Sequence, residues 1–298
     1  MTSRQGPRRV HRAAMAAAAG LFVVVAAASA ANEVQVYGIA QFGGAGQCGN
    51  SDMTHPVHTE TAKAFLKPFA ILQTIGLWDA VAMLNNSNAK SSLFTDPGKA
   101  AACSCTADDT AIDKGLDEAD VVYVHTHGSH SASPAWSSLS MGKSGTGLMC
   151  SARTDLNMRW NSDLDIAVIK ACQSGDYDTW ANGGYRQQIT TSGSPFRMWN
   201  AFHGDSSCGS HVTSYVGSYA AESFFDGVGE NWLDEAYDTS GDDDCPVSIV
   251  MGSSYANRKN LFENGGWLDR KDTGSKTSST IFYFHGCAPS SGRKLPTS

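Results

Sequence analysis

Two residues in this chain have both the type and the setting for nucleophilic chemistry. Asp120-Val-Val-Tyr-Val-His-Thr leads into His127-Gly128, and Asp165-Ile-Ala-Val-Ile-Lys-Ala leads into Cys172. A cysteine attacks as its thiolate, and a nearby imidazole either accepts the thiol proton or, once protonated, stabilises the thiolate. Gly128 carries no side chain to hold a substrate off the backbone, and its N–H can donate to an oxyanion. Both apolar runs read as strands buried on two faces. Open α/β sheets carry their functional groups beyond the carboxyl ends of the strands. A thiol and an imidazole 45 residues apart in sequence are therefore expected at one edge of one sheet.

The same stretch is open to metal chemistry. His125, His127 and His130 form His-Thr-His-Gly-Ser-His, and His203, His211 and His285 follow later. Neutral imidazoles suit zinc, which turns bound water into a nucleophilic hydroxide. The alternation resembles the zinc motif of metallo-β-lactamase-fold hydrolases, with His125, His127, His130 and His203 as the candidate ligands. Ser129 stands where that motif has an acidic residue.

Elements must position these groups. Residues 33–40 read as a first strand, and a glycine-rich loop follows over 43–50. Helical spacing of Ala62, Phe65, Leu66, Phe69 and Leu72 predicts a helix over 59–75, with Pro68 inside it. A second helix is expected over 78–84. Besides the two runs above, strands are expected over 196–202, 247–251 and 281–284, and helices over 210–225 and 230–237. Strands alternating with helices indicate an α/β fold around a largely parallel sheet, with the strands at 120–126 and 165–171 parallel and close neighbours.

The chain has 298 residues, 41% hydrophobic and 17% charged, which excludes a disordered chain. Residues 1–30 have a basic start (Arg4, Arg8, Arg9, Arg12), an uncharged run from Ala13 and the ending Ala28-Ser29-Ala30, the pattern of a cleaved secretory signal. A mature domain is expected over 31–298. It would carry 18 basic against 29 acidic residues, which speaks against nucleic acid as partner. No later segment is apolar enough to span a membrane, so no stable membrane association is expected after signal removal.

Eight cysteines (48, 103, 105, 150, 172, 208, 245, 287) in an exported chain allow four disulfides. A nucleophilic Cys172 requires an odd partner left over. Cys103 and Cys105 are too close for a comfortable mutual bridge, which makes one of them the candidate. The acidic run Ser240-Gly-Asp-Asp-Asp-Cys245 reads as a solvated turn rather than a calcium loop. Trp136, Trp160, Trp180, Trp199, Trp232 and Trp267 are candidates for a carbohydrate-binding surface or for core.

His127-Gly128 and Ala171-Cys172, each directly after a strand-like run, resemble the motifs of the caspase-like cysteine peptidases, a superfamily that includes caspases, legumains, gingipains and separases. The resemblance covers about residues 118–176. Residues 197–204 (Arg-Met-Trp-Asn-Ala-Phe-His-Gly), 221–227 (Ala-Glu-Ser-Phe-Phe-Asp-Gly) and Asn231-Trp232 resemble an exported bacterial branch with this kind of core. The resemblance implies a caspase-like three-layer sandwich with a mostly parallel central sheet. It implies Cys172 as nucleophile, His127 as general acid/base, and the N–H groups of Gly128 and Cys172 as the oxyanion hole. A peptide or protein substrate follows, and no cofactor. A non-catalytic binding protein that kept the fold is the remaining reading.

Overall fold

The computed structural model describes residues 2–4, 32–42, 55–142, 150–191, 193–240, 244–268 and 274–297. In chain order its elements are β1 (Thr2–Arg4), β2 (Asn32–Gly38), α1 (Pro56–Gln73), β3 (Trp78–Asn85), α2 (Ala100–Cys103), β4 (Val121–His125), β5 (Gly128–Ala132), β6 (Ala135–Ser140) and β7 (Ser151–Arg153). They continue as β8 (Ile166–Lys170), α3 (Tyr177–Ala181), α4 (Gly184–Ile189), β9 (Met198–His203), α5 (His211–Glu222), α6 (Val228–Ser240), β10 (Cys245–Gly252), α7 (Tyr255–Asn264) and β11 (Ser278–Phe284).

Seven strands form a mixed, mostly parallel sheet flanked by helices, in the order β3-β2-β4-β8-β9-β10-β11. The first five run parallel, and β10 is antiparallel to both its neighbours. Every residue of β4, β8, β9 and β10 is buried, as strands covered on both faces must be. The runs at 120–126 and 165–171 are parallel, direct neighbours, with His125 opposite Lys170. Of the expected signal, Thr2–Arg4 pair in parallel with β11 at the sheet edge, and residues 1 and 5–30 lie outside the described residues.

The two faces are covered by different material. Phe65 of α1 stacks on Tyr123 and meets Tyr219 of α5, while Trp232 of α6 packs on Phe202. On the opposite face Trp199 meets Trp160 and Tyr185, beside α3, α4 and a small antiparallel sheet of β5, β6 and β7. Trp160, Trp199, Trp232 and Trp267 are thus core, which removes them from any carbohydrate surface.

The helix expected over 78–84 is instead strand β3. A short apolar run cannot be told from a helix by periodicity alone. Its backbone pairs with β2 at the sheet edge, and Trp78 packs edge-on against Phe69 of α1. Cys103 and Cys105 are bridged to each other, contrary to expectation. Ser104 adopts a left-handed conformation (φ 51°) that folds the chain back and brings the two Cα atoms to 5.2 Å, inside the usual disulfide range. Cys245 is bonded to Cys287, and Cys150 is also disulfide-bonded. Among the described residues the free cysteine beside Cys172 is Cys208.

Candidate functional site

Numbering the five parallel strands by their order along the chain, they lie side by side as 2-1-3-4-5. The order reverses between β2 and β4, and α/β proteins bind ligands in the crevice beyond the strand ends at such a point. Ile39, just past β2, is held there by its N–H donating to the His125 carbonyl (3.0 Å). Helix α1 begins over the same crevice, bringing His55 and His58 to the strand ends.

Alternation along β4 sends Tyr123 and His125 to the α1 face, and the His127 ring follows them. His58 and His125 stack with ring centroids 3.9 Å apart, His58 and His127 lie at 5.6 Å, and His55 and His127 at 4.8 Å. Phe42 packs 4.5 Å from the His127 ring. Burial, helped by the neighbouring imidazoles, pushes His58 down to about 3 and His125 well below the ordinary histidine value. His127 is lowered for the same reasons, burial first and His55 second. Crowded together, the imidazoles of His58, His125 and His127 favour the neutral form. The Nε2 atoms of His55 and His127 are buried with no hydrogen-bond partner among the described residues.

Cys172 lies two residues beyond the His125–Lys170 pair on the neighbouring strand, just as His127 does on its own. Gln173 turns the chain in the left-handed region (φ 56°), and its N–H donates to the Gly204 carbonyl (2.6 Å). The thiol is free and half-buried; the Ser206 N–H donates to its Sγ (3.4 Å). Gly128 has a more local purpose than the expected clearance for substrate. A Cβ there would lie 2.1 Å from the Cys172 carbonyl oxygen, so what the glycine admits is the Cys172 backbone.

Lys170 is fully buried next to the two thiols. Its Nζ donates to the Ser207 carbonyl (2.6 Å), lies 3.9 Å from Asp244 and sits over the Phe202 ring. Burial pushes the Lys170 amine down and the Asp244 carboxyl up, so desolvation outweighs their attraction. Asp244 also accepts from the Ser207 N–H (2.7 Å) and hydroxyl (2.9 Å). This residue of the acidic turn is therefore buried in a polar network rather than solvated; residues 241–243 lie outside the described residues.

The four histidines of the zinc alternative are not brought together. His130 and His203 belong to the opposite face, where both meet Asp176, at 3.5 and 3.0 Å. The second nitrogen of His203 lies 2.6 Å from the Arg293 carbonyl. Burial works to raise the Asp176 carboxyl, but the bonds from His203 and the Thr179 N–H outweigh it and hold the group low. His211 is tied to the Ser207 hydroxyl (3.0 Å), and His285 lies against the Tyr283 ring.

Sequence reasoning missed His55, His58 and Cys208. The first two are visible as His-Pro-Val-His, a three-residue spacing at a helix start, but nothing local ties that helix to the end of β4. Fold and site together define an α/β protein with a free thiol and an imidazole cluster at the switch point of its parallel strands. Compared with known proteins, the chain matches no protein-family model, and no curated protein matches it significantly.

Proposed function

We propose that this chain is an exported cysteine endopeptidase of the caspase-like kind, its sheet the centre of a three-layer sandwich. His127 takes the Cys172 thiol proton, the resulting thiolate attacks a peptide carbonyl carbon, and the carbonyl electron pair moves onto oxygen, which accepts from the N–H groups of Gly128 and Cys172. The C–N bond then breaks as His127 protonates the departing amine. Water, giving its proton to His127, hydrolyses the thioester and releases the thiolate.

One observation carries the reading. Cys172 is one of two free thiols among the described residues, and it lies two residues beyond the strand paired with the one that leads to His127. The Ser206 N–H donates to its sulfur (3.4 Å) and fixes where the thiol sits at the strand ends. The lowered His127 imidazole is neutral in the resting protein and so free to accept a proton. Paired extracellular-type cysteines and the basic-apolar-small start of the chain support export, and no described helix is long and apolar enough to cross a membrane.

Peptide-library cleavage by the purified chain tests it. Cys172→Ala should abolish hydrolysis with unchanged circular dichroism, and His127→Ala should lower the rate about 10²–10⁴-fold. A peptide acyl group trapped on Cys172 should be seen by mass spectrometry. Hydrolysis that survives Cys172→Ala would overturn the assignment.

A further inference from the structure

We infer that His58, His125 and Cys208 form a zinc site in the crevice between the ends of β2 and β4. One ligand atom from each lies within 4.8 Å of the other two, and both histidines are buried. Two imidazole nitrogens and a thiolate are a donor set that suits zinc and disfavours the oxygen-seeking magnesium and calcium. Three protein ligands leave a fourth position of a tetrahedron for water or another group.

The tautomers are already set for this. His58 Nδ1 lies 2.7 Å from the Ile39 carbonyl, which can only accept, so that nitrogen carries the proton and Nε2 keeps its lone pair. His125 Nδ1 lies 2.5 Å from Thr61 Oγ1. The Thr61 hydroxyl donates its own proton to the His58 carbonyl (3.0 Å), so it accepts from His125 Nδ1–H and leaves Nε2 bare. Metal-bound histidines are held in this way, by an acceptor on the nitrogen away from the metal. Two helix-borne groups, Thr61 and His58, thus orient one strand-borne imidazole and each other.

The spacing fits as well. Bonds of about 2.3 Å to sulfur and 2.0–2.1 Å to nitrogen at a tetrahedral angle place the two ligand atoms roughly 3.6 Å apart. Cys208 Sγ stands 3.7 Å from His58 Nε2. On binding, the Cys208 thiol releases its proton to solvent and the sulfur takes its place on the metal. Cys172 is not one of the three ligands, although its Sγ (3.8 Å) and that of Cys208 (3.9 Å) converge on the same Ser206 carbonyl. The zinc inference therefore does not depend on the peptidase reading.

Cobalt is the probe, added to the untagged, chelator-stripped full chain, with zinc competition to follow. The expected result is one cobalt per chain with thiolate-to-cobalt charge-transfer absorption, displaced by one equivalent of zinc. Cys208→Ser should lose the charge-transfer band, whereas Cys172→Ser should keep it. Thr61→Val, which spares all three ligands, should weaken zinc binding about 10–100-fold while circular dichroism stays unchanged. Absence of cobalt binding would overturn the site. So would a charge-transfer band that survives Cys208→Ser, or one lost in Cys172→Ser alone.

Discussion

At the scale of single residues, burial decides the chemistry more than residue type does. The imidazoles of His58 and His125 are driven neutral by the crevice that encloses them, and a neutral imidazole is what a proton acceptor or a metal ligand requires. The same force acts on a carboxyl far from the crevice. Asp109, buried in the loop before β4 with Asp117, Asp96 and Asp108 nearby, is pushed up to about 8, first by burial and then by those charges. An unfolded aspartate ionises near pH 3.9, roughly, so between pH 4 and 8 the folded chain holds the extra proton. Its stabilising contribution is complete at low pH and is lost as pH rises through about 8. Asp109→Asn should therefore raise the urea midpoint at pH 8 more than at pH 5. Equal changes at the two pH values would show that this carboxyl does not titrate as its surroundings demand.

At the scale of elements, β8 delivers three groups in a row to the strand ends: Lys170, Ala171 and Cys172. Lys170 is the costly one, because its charge is fully buried and its partner Asp244 is buried too. Such a pair contributes little in sum, yet removing one partner strands the other. Lys170→Met should cost about 3–5 kcal/mol in chemical denaturation. Adding Asp244→Asn should recover a good part of that loss. Full additivity of the two changes would mean that they do not act as a pair. The register of β4 on β8 has a consequence of its own, since it sets His127 and Cys172 level and makes Gly128 obligatory against the Cys172 carbonyl.

At the scale of the whole molecule, the antiparallel end of the sheet is held covalently. The Cys245–Cys287 bridge joins the start of β10 to the segment after β11 and closes a loop of sequence separation 42. Cross-linking a loop of that size restricts the unfolded chain by about 4 kcal/mol. The Cys245→Ala, Cys287→Ala double variant should lose stability of that order, read as a lower thermal midpoint. No loss would mean that the reduced protein keeps the same constraint through packing alone.

How much was legible beforehand follows from the range of the forces involved. The apolar runs ending at His127 and Cys172 were readable because a strand covered on both faces needs nearly continuous apolar residues, a local requirement. Their parallel pairing followed from the same pattern. The run at 78–84 misled because its local spacing fits a helix as well as a strand, and only pairing with β2 settles which. Cys103 and Cys105 misled because their bridge depends on the backbone angle of Ser104, which spacing does not reveal. The sequence by itself determined the α/β class, the strands that bear a thiol and an imidazole, and the acidic character of the chain. Only the tertiary structure decided that His130 and His203 turn to one face while His55, His58 and Cys208 gather on the other. Those meetings join segments as far apart as the 150 residues between His58 and Cys208, and such contacts are set by how helices lie across the sheet rather than by any local pattern.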